Sequence, residues 1–291
     1  MDIVQLFCEI DDFYKVFETV WRKHLIGNGR VRNRPTRLSM SEVMTILVLY
    51  HESDYKTLKG FYLREIARRY RREFPGLVSY NRFVELQRRC VLPLYFYLVC
   101  KRGRCTGISF IDATALKVCH NLRIPSHRVF KGSAARDKSS TGWYYGFKLH
   151  LAVNDEGAIL GFYLTAANID EREPADWITN GLSGKLVGDK GYISQPLFER
   201  LMARGLKLIT KLRRNMKNRF VTMDEKLLLR KRAIIETIND QLKNVSNIEH
   251  TRHRSLWNFL GNLASGLIAY CWKEKKPSLN LKFNDLASFV G

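Results

Sequence analysis

Acidic residues are scarce in this chain of 291 residues: 28 Asp and Glu face 49 Lys and Arg, a formal net charge of +21. Such a deficit disfavours cationic partners and points to a polyanion. Long apolar runs are missing as well. The stretch 91–100 is the most apolar, but it is short and flanked by Arg88, Arg89, Lys101 and Arg102, so no membrane span is expected. The start, Met1-Asp2-Ile3, lacks the basic segment and cleavage site of a secretory signal, so a cytoplasmic protein is expected. The six cysteines contain no CxxC pair. Cys100 and Cys105 offer half a zinc site and nothing completes it, which leaves free thiols in a reducing compartment. A hydrophobic content of 45% excludes a disordered chain.

The positive charge is uneven. Basic residues outnumber acidic ones by 20 to 11 over residues 1–105, by 12 to 10 over 106–205, and by 17 to 7 over 206–291. A near-neutral middle between basic flanks suits a catalytic core with polyanion-binding surfaces on either side. A generally basic surface or a non-enzymatic RNA binder would explain the charge equally well. Membrane-surface binding would instead concentrate it on one amphipathic helix.

Residues 1–25 carry Ile3, Leu6, Phe7, Ile10, Phe13, Phe17 and Trp21 at helical spacing. A basic loop follows at 27–35. Ser39 with Glu42 forms a capping box for a second helix. Asp54 is expected to start another, ending in the basic run 68–72, and Ser79 caps a third from about 79 to 99. Short helices with basic ends fit a helix-turn-helix-like DNA-binding module, although other all-α domains share the pattern.

From residue 105 strands and helices alternate. The strand 108–114 is apolar but carries Asp112, and a charge on a core strand is costly unless paired or metal-bound. Asp189 repeats the design at the end of 186–188, before a glycine turn. Glu236 stands alone in the apolar helical run 233–238. One such Asp is ordinarily a cap or a salt bridge. Three carboxylates on apolar elements can converge on hard divalent cations. The polar loop 119–142 holds His120 and His127, which read as solvent-facing side chains. A long strand at 143–153 turns at 154–157 into a partner at 158–165, and 168–174 leads into a helix through about Leu182. Ser194 opens a helix ending at Gly205, a strand spans 206–212, a basic run spans 211–219, and the Glu236 helix starts near Asp224. This order of elements is that of a ribonuclease H-like mixed α/β sheet.

Helical spacing gives the Glu236 helix an apolar stripe of Ile234, Ile238, Leu242 and Val245. A second stripe holds Arg232, Glu236, Asn239, Asp240 and Lys243. The latter is either a solvated ion-pair face or one metal ligand with two phosphate clamps.

The segments Ile111-Asp112-Ala113-Thr114, Tyr145-Gly146-Phe147-Lys148-Leu149-His150, Gly188-Asp189-Lys190-Gly191-Tyr192 and the run from Arg232 to Lys243 resemble those of DDE transposases, most closely the insertion-sequence 982 family. The likeness extends through 249–254 and covers about residues 1–280. It implies a ribonuclease H-like catalytic domain over 105–276, preceded by an all-α DNA-binding domain over 1–104 and followed by a tail over 277–291. It assigns Asp112, Asp189 and Glu236 to catalysis and to two Mg²⁺ ions, with Mn²⁺ as a substitute. Double-stranded DNA is the implied partner, as terminal inverted repeats and target, with a homodimer assembled on it in a bacterial cytoplasm. Lys190, Arg232, Lys243, Lys148 and Trp143 are the expected DNA contacts. Arg232, Glu236 and Lys243 also fit the spacing of the Tyr, Arg, Glu, Lys signature of the broader insertion-sequence-4 group, whose Tyr position falls on Leu229. Two rivals remain: a nuclease or resolvase of the same fold without strand transfer, and a DNA-binding protein with a vestigial site.

Overall fold

The computed structural model describes residues 2–24, 36–139, 142–212, 222–249 and 253–279. The basic loop 27–35, most of the basic run 211–219, residues 250–252 and the tail from 280 lie outside them. The chain forms two compact units, one of residues 1–101 with 242–273 and the other of 102–241 with 274–291.

The first unit is helical. The apolar spacing near the N-terminus yields α1 (Ile3–His24), with Leu6 and Ile10 fully buried. Both halves of the expected capping box form at α2 (Met40–Tyr50): Ser39 accepts from the Glu42 N–H, and Glu42 accepts from the Ser39 N–H at 2.6 Å. The next helix, α3 (Leu58–Phe61), is capped by Thr57 rather than begun at Asp54, and one wide π turn over 62–66 follows it. Ser79 caps α4 (Tyr80–Gln87), and a 3-10 turn joins it to α5 (Val91–Cys100). Arg68, Arg69, Arg71 and Arg72 are all exposed.

The second unit holds a mixed six-stranded sheet. Strand β1 (Ile108–Cys119) lies at its centre. The polar loop after it contains a short 3-10 helix and an unexpected strand, β2 (Ala135–Ser139). Strand β3 (Gly142–Asn154) pairs antiparallel with β1 along one edge. Along its other edge β2 and then β4 (Ile159–Ala166) pair with it in turn. The β3–β4 turn is tight: Asn154 Oδ1 accepts from Glu156 and Ala158, and Gly157 has φ +75°. The helix expected through Leu182 shrinks to α6 (Ala175–Ile178).

Strand β5 (Gly184–Gly188) then runs parallel to β1. Its first residue, Gly184, has φ +92° and leaves no room for a side chain, since a Cβ would stand 2.2 Å from the Gly107 carbonyl oxygen. Helix α7 (Gln195–Ala203), capped by Ser194, leads through Gly205 into β6 (Leu206–Thr210), which pairs parallel with β5. Ile111, Leu186, Leu197, Leu201, Leu206 and Leu208 belong to one core cluster with Tyr192, each burial contributing roughly 1.5–3 kcal/mol. Antiparallel strands on one side of β1 and parallel ones on the other give the ribonuclease H-like arrangement, α/β with flanking helices.

The helix expected to run unbroken from Asp224 through Glu236 is two helices. Thr222 and Glu225 form a capping box on α8 (Met223–Lys231), and α9 (Ala233–Asp240) resumes after Arg232 and lies against β1. A π turn over 241–245 ends it and leaves Val245 exposed, so Val245 drops out of the apolar stripe. The last helix, α10 (Leu256–Trp272), is apolar almost all round and packs with α5, α2 and α4 of the helical unit. Residues 242–273 therefore pack with that unit, whereas sequence alone placed them with the sheet. Among the described residues, no helix is long and apolar enough to cross a membrane.

Candidate active site

Backbone register brings the first two carboxylates together. Phe110 of β1 is paired with Val187 of the parallel strand β5. Asp112 and Asp189 each stand two residues further on, so neighbouring strands present them at the same end. Gly188 keeps this corner close-packed, since a Cβ there would meet Ile111 Cγ2 and Tyr192 Cδ2, both at 3.2 Å. Asp189 then caps the turn that leads away, its Oδ1 accepting from the Gly191 N–H at 2.8 Å.

The third carboxylate arrives on α9. Ile234, Ile235 and Ile238 are buried, which turns Arg232, Glu236 and Asn239 toward β1 and solvent. Asn239 donates to Asp112 Oδ2 at 3.0 Å, and Arg232 donates to Asp112 Oδ1 at 3.4 Å. The same guanidinium binds Glu236 Oε1 through its other terminal nitrogen. Arg232, which stands at the break between α8 and α9, thus bridges two of the carboxylates.

Burial pushes Asp112 up to about 6 against the pull of Arg232, and the negative fields of Asp189 and Glu236 push it further. A fourth carboxylate shares this environment. Glu171, on the loop after β4, is pushed up to about 7 by burial and then by Asp189, while Lys148 opposes the shift. Its neighbour Asp170 behaves oppositely. The Arg172 side chain holds it down to about 2, donating through Nε to Oδ1 at 2.8 Å. Nothing in the run Asp170-Glu171-Arg172-Glu173 marks Glu171 out, because a run of mixed charges reads as a solvated loop.

The remaining expected residues divide. Lys148 is engaged inside the sheet unit, 2.8 Å from Asp137 and donating to the Ile169 carbonyl at 3.2 Å. Trp143 is 56% exposed, with the Arg136 guanidinium 5.7 Å from its ring centre. Lys190 opens the turn behind Asp189. Lys243 belongs to the helical unit, where it lies 3.7 Å from Glu249. Of the loop histidines, His120 caps a 3-10 helix and His127 stacks on Phe130. His150 is held neutral by burial, at about 4, and shares a hydrogen bond with Thr165.

The donor set suits hard cations. It consists of carboxylates alone, with no thiol or imidazole among them. Two buried polar atoms there, Tyr192 Oη and Asn239 Oδ1, have no hydrogen-bond partner among the described residues. As the side chains stand, no three His, Cys, Asp or Glu among the described residues are gathered closely enough to ligate one ion. Arg232 stands as a counter-charge between Asp112 and Glu236.

Against known families, residues 102–256 match the model described as the transposase DDE domain, a span that holds all four carboxylates. No curated protein matches the chain.

Proposed function

Since the chain belongs to the DDE transposase family, whose domain model covers more than half of it, we propose that it binds the terminal inverted repeats of an insertion sequence, cleaves the DNA at those ends and joins them to target DNA. The observation that carries this reading is the meeting of Asp112 and Asp189 at the ends of parallel strands, with Glu236 tied to the same point through Arg232.

Asp112, Asp189 and Glu236 would hold two Mg²⁺ ions, with Mn²⁺ able to replace them. Such ions, when bound, stabilise the attacking and leaving oxygens of an in-line displacement and lower the pKa of water. Asn239 fixes the rotamer of Asp112 by its hydrogen bond. Arg232 balances the charge of Asp112 and Glu236, and its guanidinium is suited to hold a phosphate beside the cleaved bond. Lys190, at the turn behind Asp189, holds a flanking phosphate, Lys243 is a separate DNA contact, and Lys148 supports the loop rather than reaching out. Trp143, exposed at the β2–β3 hairpin, offers a face on which an unpaired base stacks. The protein supplies no nucleophile of its own. Water would attack the phosphorus at the element end and break the P–O3′ bond, leaving a 3′-hydroxyl on the element and a 5′-phosphate on the flanking DNA. That hydroxyl would then attack a target phosphodiester and release the target strand's own 3′-hydroxyl.

The helical region 1–104, with its exposed arginines, is the proposed repeat-binding domain, and the sheet unit that carries the carboxylates, within 105–241, is the catalytic one. Closest likeness to the insertion-sequence 982 family, a homodimer that pairs two ends and a bacterial cytoplasmic location complete the proposal. The test is to incubate purified protein and Mg²⁺ with duplexes copied from the DNA flanking its coding region, then score cut and joined products. Joined products support transposition. Cut ends alone indicate a nuclease or resolvase, and binding without nicking indicates a vestigial site.

A further inference from the structure

Glu171 stands where the assigned triad does not account for it. Its loop is fixed on both sides: Lys148 donates to the Ile169 carbonyl at 3.2 Å, and Arg172 closes onto Asp170 through its backbone N–H at 2.9 Å and its side chain. Between these anchors Glu171 reaches toward the Asp189 turn. A Cβ placed on Gly191 would lie 2.9 Å from Asp189 Oδ1 and 3.0 Å from Glu171 Oε2, so the two carboxylates flank a single point above that glycine.

No donor among the described residues hydrogen-bonds or ion-pairs the Glu171 carboxylate. Glu171 is half-buried, and a carboxylate partly withdrawn from water ordinarily has such a partner. The adjoining Tyr192 is fully buried, and its hydroxyl has no hydrogen-bond partner among the described residues. An unpaired carboxylate and a buried, unpartnered hydroxyl therefore border the Asp189 turn. Both are accounted for if an ion and its waters fill the space.

We propose that Glu171 is a fourth carboxylate of the metal centre, binding beside Asp189, directly or through an ordered water, to the ion that Asp189 holds. This rests on the reading of Asp112, Asp189 and Glu236 as metal ligands.

The test measures Mn²⁺ binding to the full chain by electron paramagnetic resonance, with and without duplex DNA, for wild type, Glu171→Gln, Glu171→Asp and Asp189→Asn. Melting temperatures are recorded in EDTA and in Mn²⁺. Glu171→Gln is expected to weaken binding of one ion by about 10–100-fold, the range seen when supporting groups of metal sites are removed. It should melt at or above wild type in EDTA, because a repelling carboxylate is gone, and below wild type in Mn²⁺. Glu171→Asp keeps the charge and should recover part of the lost affinity, which also guards against a Gln substitution that fails to fold. Unchanged Mn²⁺ affinity in Glu171→Gln, or an equal loss of melting temperature in both conditions, overturns the proposal. If Asp189→Asn loses Mn²⁺ while Glu171→Gln keeps it, this inference alone fails. If Asp189→Asn also binds normally, or wild type binds none, the metal-ligand reading itself fails.

Discussion

Replacing Asp112 by Asn should make the metal-free protein more stable at neutral pH. The folded-state pKa of Asp112 is raised from 3.8 to about 6. Asn resembles the protonated acid, so it is free of the cost of holding an ionised carboxylate in this site. The raised carboxylate favours the fold fully below pH 3.8 and loses that advantage as pH climbs through about 6. Each pKa unit corresponds to about 1.4 kcal/mol, so the ionised Asp112 costs about 3 kcal/mol. Weaker hydrogen bonding of the carboxamide to Arg232 returns about 1–2 kcal/mol of that. A net gain of about 1–2 kcal/mol remains for Asp112→Asn above pH 6.5, falling toward zero by pH 4. Urea unfolding in EDTA at pH 4, 5.5 and 7.5 measures it, and added Mg²⁺ should stabilise wild type far more than it stabilises Asp112→Asn. If Asp112 were a structural ion-pair partner of Arg232, Asn would instead destabilise by roughly 3–5 kcal/mol at pH 7.5, with no response to Mg²⁺ in either protein. That result would refute the reasoning.

Gly191→Ala should leave the metal-free fold intact, but its methyl would press on the Asp189 and Glu171 oxygens; the rise in melting temperature on adding Mg²⁺ should shrink. Gly184→Ala combines a left-handed backbone with a 2.2 Å clash against Gly107 and should cost about 3 kcal/mol or more in urea unfolding. DNA affinity should fall steeply with salt on a log–log plot, and Lys243→Ala should flatten that slope by about one contact while nicking persists at saturating DNA. A flat salt dependence in the wild type would assign the basic flanks to another role.

What was legible in the sequence is local. The Ser39, Ser79 and Ser194 caps, the Asn154 turn and the strands carrying Asp112 and Asp189 depend on neighbouring residues, and each forms where its residues indicate. What was not legible depends on partners distant in the chain. Strand β2, Ala135-Arg136-Asp137-Lys138-Ser139, has no apolar alternation and is a strand because β3 offers it a free edge. The helix break at Arg232 accompanies that side chain's bonds to both Asp112 and Glu236, which no helical periodicity encodes. The π turn at 241–245 shifts the helical phase and sends Val245 to solvent. Glu171 looks like its neighbours Asp170 and Glu173 until the Asp189 turn is folded beside it.

The central claim is that Glu236 holds a metal for phosphodiester chemistry rather than serving as one half of an exposed ion pair with Arg232. Glu236→Gln keeps the size and helix propensity of the side chain, and the most direct measurement is its single-turnover nicking of terminal-repeat duplex at saturating DNA and Mg²⁺, with binding recorded on the same samples. The account predicts binding at or slightly above wild type and no nicking. An exposed ion pair contributes only about 0.3–0.5 kcal/mol, so if Glu236 were no more than that, Glu236→Gln would nick at the wild-type rate, and that result would contradict the account.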